Sequence, residues 1–511
     1  MNQRQGTGHP TAEPGRASRS RLELWLAATL LALILGAAFQ GGRGVWDPSE
    51  GFYTNAAVGM AETGDWWTPR LNGEAFLDKP PIVYWSIAAG IKLLGINEWG
   101  ARLALIFWYA GTALLVGALA QSFWGGKFGP LATAVYAMTL LPFVAASTLT
   151  TDPILAFWTT ATLYFFWRME QAEAARGRNL WALALGTAIG LGLLTKGPAM
   201  LVFLPPLAVF LALRRRLFRA LAIPGLWLAV ALALALGGSW YVSMAAALPG
   251  AVDYFLDNQV SGRMVSAKYG RNPGLAGLFT VYVPTLILGA LPFSLAWPKW
   301  LKGSAKNWRR SSWWRGLVDR PAALLTLLWF VLPFGVLASA SSKLPLYALP
   351  LAAPLALVAA RPLGLTISRA PLRKRILVAL GLWICFLLAI KFLAASWPTH
   401  EDTRATARAL ETHRVPHTTQ LVAVNRAENS LIVYGYGNLR QAATGGPEIY
   451  FSPIRSLAET IESIPPGTPT LFIGSEKDLG LARSLVANGS DGCRMLAGGH
   501  PKELFLWCRA P

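Results

Sequence analysis

The stretch Leu22–Tyr53, LELWLAATLLALILGAAFQGGRGVWDPSEGFY, governs the reading of the whole chain. Its first part, residues 22–40, carries a single charge, Glu23. An apolar run of about 20 residues is long enough to cross the hydrocarbon core of a bilayer as a helix. The second part turns polar at once and sets Asp47 and Glu50 among Trp46, Phe52 and Tyr53. Ionisable groups at a membrane boundary are costly and are generally paired or functional. The run is too long for a cleaved signal peptide, and no small-residue cleavage site precedes Trp46.

Further apolar runs follow at 101–121, 130–148, 153–168, 180–195, 199–213, 220–241, 276–297, 321–340, 345–360 and 375–396. This predicts a mainly helical polytopic membrane bundle of about 11 spans. Composition agrees, because 54% of the 511 residues are hydrophobic, only 14% are charged and 22 are tryptophan. A soluble enzyme, a disordered chain and a disulfide-rich secreted module are all excluded.

The net charge of +20 invites a nucleic-acid reading, but its distribution points elsewhere. From residue 398 onward 11 basic residues meet 11 acidic ones, so the surplus lies wholly among the apolar runs. It gathers in alternate gaps: Arg4, Arg16, Arg19 and Arg21 before the first run; Lys127; three arginines in 168–179; and Arg214, Arg215, Arg216 and Arg219. It continues with seven basic residues in 299–320 and five in 361–376. Lys and Arg concentrate in cytoplasmic loops. Residues 1–21 therefore read as a cytoplasmic tail, 22–397 as the membrane domain with an outside loop at 41–100, and 398–511 as an extracytoplasmic domain.

That last segment has a different pattern. Short strand-like runs at Gln420–Val424, Leu431–Tyr436, Pro469–Ile473 and Leu504–Trp507 alternate with helical ones at Thr403–His413, Pro453–Ile464 and Lys477–Ala487, which predicts a small α/β domain. Cys493 and Cys508 flank a candidate hairpin around Gly498 and Gly499; a disulfide and an unpaired arrangement both fit. Cys385, inside an apolar run, reads as a packing residue.

On the side opposite the basic loops the sequence places Asp47, Glu50, Asp78, Lys79, Asp152, Lys196, Arg263 and Lys343. Basic residues there run against the topological bias. Taken singly each has a structural explanation: Asp152 before Pro153 suits a helix N-cap, and Lys196 can snorkel. Converging on one face, they fit a phosphate-handling site. Bases hold a phosphate by charge-assisted hydrogen bonds and stabilise charge developing on a phosphate leaving group. A carboxylate can orient or deprotonate an acceptor, or stabilise an oxocarbenium-like sugar. Nucleotide sugars are absent outside the membrane, so a sugar donor there is lipid-linked. The residues thus point to a membrane glycosyltransferase using a polyprenyl-phosphate sugar.

At these motifs the chain resembles the bacterial aminoarabinose transferase family, within the protein O-mannosyltransferase-like group of GT-C membrane glycosyltransferases. The matching pattern is Glu50-Gly-Phe-Tyr53, Gly64-Asp65-Trp66, Asp78-Lys79-Pro80, Thr151-Asp152-Pro153, Thr195-Lys196-Gly197-Pro198 and Ser342-Lys343-Leu344-Pro345-Leu346-Tyr347. The resemblance implies transfer from a polyprenyl-phosphate donor to a lipid A-like acceptor at the outer face of the bacterial inner membrane, with short helices in 47–100. It implies that Lys79 contacts the donor phosphate, that Lys196, Arg263, Lys343, Tyr53 and Tyr347 bind substrate, and that Asp152 and Glu50 act at the sugar and acceptor, with Asp47 either a catalytic stand-in for the family acid replaced by Ser49 or only a loop residue. Two departures from the family pattern are visible. Its adjacent acids before x-x-Tyr read Ser49-Glu50 here, and its glutamate before Lys-Pro is Asp78. With no histidine between His9 and His400, a membrane metal site would fall to carboxylates, and Asp78 is one able to bind a divalent cation.

Three alternatives remain, one of them an inactive relative, suggested by the Ser49 departure, whose outside domain scaffolds a partner. A glycosyltransferase of the same fold could act on protein or another envelope glycan. A transporter or flippase of anionic lipids could use the bases as a pathway, although such proteins often carry internal repeats and midplane charges, and neither is evident here. Nucleic acid is not an expected partner.

Overall fold

The structure is a computed structural model that describes residues 14–257, 270–298, 311–397, 399–444, 451–452, 454–465, 467–486, 493–501 and 503–508. The predicted apolar runs fall on helical segments, from Pro14–Ala37 to Ala370–Ser396. Six helical stretches among the described residues are long and apolar enough to cross a membrane: Glu98–Trp124, Ala175–Leu213, Pro224–Ala247, Pro321–Ser339, Pro345–Ile367 and Pro371–Ser396. Glu98–Trp124 shows how such an element is delimited. Asn97 caps it by accepting from Gly100 N at 2.9 Å, and Gly125 at φ 101° ends it.

Small residues draw the helices together. Ala175–Lys196 packs along Pro224–Ala247, and a Cβ on Gly186 would stand 2.3 Å from the Ala229 carbonyl oxygen. Gly190 meets Ala233 one turn on, a close-packed seam where van der Waals contact replaces the hydrophobic effect. Lys391 donates to the Leu35 and Gly36 carbonyls at 2.8 and 3.3 Å, tying the last helix to the first. The outer face of that last helix exposes Leu377, Leu382, Phe386 and Leu393, as a lipid-facing surface requires. Cys385 is also exposed there, so it is not the packing residue its apolar setting predicts.

The loop 41–100 folds into helices Gly51–Thr63 and Ile82–Leu94, separated by a two-stranded hairpin of β1 (Arg70–Leu71) and β2 (Glu74–Ala75). The C-terminal region forms a five-stranded sheet of β3 (Gln420–Val424), β4 (Leu439–Ala442), β5 (Thr470–Gly474), β6 (Cys493–Ala497) and β7 (Leu504–Cys508), in the order β4-β3-β5-β7-β6. The first three are parallel, and β7 runs antiparallel to both β5 and β6. Cys493 and Cys508 are register partners at the open end of the β6–β7 hairpin and are joined by a disulfide. The predicted strand at Leu431–Tyr436 is instead part of a 3-10 helix, Asn429–Tyr434. Its β-type composition yields to tertiary anchoring. The Asn429 carbonyl accepts from Asn55 at 3.2 Å and its side chain accepts from Asn72 at 2.9 Å, which docks this turn on the first loop.

Candidate active site

Residues from the first loop, four helical segments of the membrane bundle and the C-terminal sheet line one cavity of about 1300 Å³. Its polar floor is built at helix ends. Asp152 is the first residue of Asp152–Gln171, and Lys196 the last of Ala175–Lys196. Their side chains meet at 2.6 Å. Asp152 is therefore not a cap: Thr151 occupies the N-cap position, and the Asp152 carboxylate accepts from no helix N–H among the described residues. Lys196 suits the negative end of its helix dipole, and its ammonium also lies 4.4 Å from the centre of the Tyr347 ring. Gly197 makes the sharp exit possible. Its φ of +57° disfavours other residues, and a Cβ would stand 2.3 Å from the Tyr241 hydroxyl.

A second lysine–carboxylate pair lies on the first-loop side. Lys79 contacts Asp78 at 2.6 Å and is only 6% exposed. Tyr53 and Ser49 line the cavity next to this pair, and Leu155, Val202, Phe203, Val336 and Leu337 give it an apolar flank. The cavity thus brings together Tyr53, Asp78, Lys79, Asp152, Lys196 and Tyr347 from distant points in the chain.

Other expected site residues are placed elsewhere. Glu50 does not line the cavity; it is fully buried. It receives Arg43 at 2.6 and 2.8 Å, Arg102 at 2.8 Å, and the backbone N–H groups of Leu149 at 2.9 Å and Trp46 at 3.1 Å. Burial would raise its pKa, but Arg102 and then Arg43 outweigh that and hold it at about 2. Asp47 is also absent from the lining. It accepts from Ser430 N at 2.8 Å and from Thr403 at 3.2 Å, joining the first loop to the C-terminal region. Burial pushes its carboxyl up to about 6 despite those bonds. The residue of the Ser49-Glu50 pair that faces the cavity is Ser49.

Lys343 is 1% exposed, does not line the cavity, and donates to the Ala340 carbonyl at 2.6 Å. Its backbone N–H instead holds Arg271 by its carbonyl at 2.7 Å, and Arg271 does line the cavity. Arg263 lies outside the described residues. As for a cation at Asp78, that carboxylate is engaged by Lys79, and no group of three acid, His or Cys side chains among the described residues could hold a metal ion.

Sequence reading missed Arg271 and Arg426. The first sits in Gly-Arg-Asn-Pro, a turn signal; the second lies in the charge-balanced tail, where nothing local distinguishes it. Arg426 is bound to Glu428 at 2.9 Å and Glu503 at 3.2 Å. Burial pushes Glu428 up to about 8, with Arg426 opposing and Glu503 and Asp47 adding to the rise. Between the ordinary value of 4.5 and about 8 the folded chain binds more protons here than the unfolded chain, so stability falls as pH rises through that window. Glu428→Gln, which mimics the neutral acid, is expected to raise the melting temperature at pH 8–9 and to flatten its alkaline decline. Parallel pH profiles for the two proteins would contradict this.

A multi-span helical bundle, a helical first loop, an α/β region closing one end and a cavity between them define a polytopic membrane protein of the GT-C fold. Solved structures agree. ArnT from Cupriavidus metallidurans bound to undecaprenyl phosphate superposes with a TM-score of 0.73 at 20% identity, over 97% of this chain and 98% of that one. The Archaeoglobus fulgidus oligosaccharyltransferase complex with Zn and sulfate gives 0.54 at 15%, over 95% and 73%. The family described as dolichyl-phosphate-mannose-protein mannosyltransferase matches residues 24–255. The undecaprenyl phosphate-alpha-4-amino-4-deoxy-L-arabinose arabinosyl transferase of Pseudomonas savastanoi pv. phaseolicola is 31% identical over 390 residues, 74% of this chain and 68% of that protein. Its Edwardsiella ictaluri counterpart is 31% identical over 338 residues, 66% and 58% of the two chains. The chain belongs to this aminoarabinose transferase family, and it spans 58% to 68% of the length of these two relatives.

Proposed function

We propose that the chain moves a sugar from a polyprenyl-phosphate donor to a lipid A-like acceptor at the outer face of the bacterial inner membrane. The observation that carries this reading is the pairing of Lys79 with Asp78 and Lys196 with Asp152 inside one cavity with an apolar flank. Two such pairs are close to neutral at rest. An entering donor phosphate competes for the ammonium groups, and the carboxylates are released toward the sugar and acceptor. The lysines then stabilise the charge that grows on the departing phosphate, while Asp152 orients the acceptor or takes its proton. Tyr53 and Tyr347 bound the space for the sugar, and the apolar flank suits the first isoprene units. The names of the relatives, and of the polyprenyl phosphate held by the neighbouring structure, support the donor class. In a deletion strain, mass spectrometry should find the polyprenyl-linked sugar accumulated and lipid A lighter by one sugar. An unchanged envelope would overturn the reading.

The orientation belongs to the same proposal. The Lys/Arg asymmetry puts the N-terminal tail in the cytoplasm and 398–511 in the periplasm, and the Cys493–Cys508 disulfide suits that compartment. Alkaline phosphatase fused after residue 400 is expected to be active, and after residue 310 inactive. The reverse pattern would invert the topology.

A further inference from the structure

The C-terminal sheet does more than cover the cavity. β3 and β4 are parallel neighbours, so their carboxyl ends lie side by side. Asn425, Arg426 and Ala427 just after β3, and Gln441 to Thr444 at the end of β4, all line the cavity. In open parallel sheets, ligands bind beyond the carboxyl ends of the strands, where loops are free to supply polar groups.

Arg426 is the cation of this wall, and it is held from behind. Its Nε donates to Glu428 at 3.0 Å, and its Nη2 lies 2.9 Å from Glu428 and 3.2 Å from Glu503. Glu503 is itself fixed, accepting from Gly499 N at 2.6 Å, His500 N at 3.2 Å and the Thr406 hydroxyl at 3.0 Å. Both carboxylates are buried, at 3% and 2% exposure, so they anchor the arginine without reaching the cavity. Nη1 has no partner among the described residues. A planar guanidinium with one edge anchored and another nitrogen open is a preorganised anion ligand. Two ionised anchors would overcompensate the guanidinium; burial pushes Glu428 up to about 8, so at pH 7 that carboxyl is largely neutral and the excess of negative charge is avoided.

We propose that Arg426, positioned by Glu428 and Glu503, binds a phosphate group of the acceptor, so that the sheet forms the acceptor side of the cavity across from Lys79 and Lys196. This rests on the transfer reading above. The donor phosphate has the same chemistry, and the test separates the two sources. With the full chain in nanodiscs, Arg426→Gln is expected to raise the KM for lipid A at least tenfold. The KM for the polyprenyl-phosphate sugar, and its hydrolysis without acceptor, should stay within twofold. Arg426→Lys should recover part of the lipid A affinity. A rise in donor KM instead, or no change in either, overturns the proposal. Should Arg426→Gln fail to fold, inorganic phosphate decides with wild-type protein. Inhibition competitive with lipid A is expected, and inhibition competitive with the donor alone contradicts it. A wild-type chain with no donor turnover refutes the transfer reading instead. Calorimetry with inorganic phosphate then tests Arg426 independently: binding weakened by Arg426→Lys supports the site, and unaltered binding removes it.

Discussion

Glu50→Gln is expected to remove most of the folded protein rather than to slow a folded enzyme. The Glu50 carboxylate binds Arg43 and Arg102 in a fully buried site, and Arg102 also donates to the Gln40, Arg43 and Gly44 carbonyls. Removing one partner of a buried ion pair leaves an uncompensated charge and typically costs about 3–5 kcal/mol. Here two guanidinium groups lose their counter-ion, and three segments lose a common anchor: the first loop, the Glu98–Trp124 helix and the Leu149 turn that precedes Asp152. Because the Glu50 pKa is lowered, its stabilising effect is complete above pH 4.5 and is lost as pH falls toward about 2. Thermal unfolding in detergent is the check. Wild-type stability combined with lost turnover would return Glu50 to the chemistry.

Lys79→Ala is expected to do the opposite, leaving a folded protein whose turnover falls at least about a hundredfold. A fixed donor aimed at charge developing in the transition state is typically worth roughly 2.7–4 kcal/mol. The substitution also leaves the Asp78 charge in the cavity without the adjacent ammonium, where it repels an incoming phosphate. Both effects reduce the rate. Steady-state kinetics on purified, thermally intact mutant protein measure this, and near-normal turnover would remove Lys79 from the mechanism.

The contrast between these two residues shows what could be read from the sequence. Lys79, Asp152 and Lys196 were recognisable because charged groups at the ends of apolar runs are expensive and the Lys/Arg asymmetry assigned them a common side, whereas Tyr347 was marked only by the family resemblance. Which of Ser49 and Glu50 faces the cavity was not legible, because the choice is made by Arg43 and by Arg102, a residue 52 positions beyond Glu50. One signal was present. Arg102 is the one basic residue of an apolar helix whose only other charge is Glu98 at its first position, and such a charge generally implies a buried partner. Lys343 misled for the opposite reason: its motif is at the site, yet its ammonium satisfies a local carbonyl while its backbone steadies Arg271. The fold was legible wherever a helix could be recognised by length and apolarity, as in Glu98–Trp124 and Ala370–Ser396. It was not legible at Asn429–Tyr434, whose conformation depends on asparagines of the first loop.

The most direct measurement supplies the purified protein in nanodiscs with a polyprenyl-phosphate-linked aminoarabinose and lipid A, and follows both lipids by mass spectrometry. Wild-type protein is expected to release polyprenyl phosphate and to add one sugar mass to lipid A, with Asp152→Asn at least about tenfold slower, a barrier rise of roughly 1.4 kcal/mol. No donor consumption by the wild type, or equal consumption by wild type, Lys79→Ala and Asp152→Asn, would contradict a transfer reaction in this cavity.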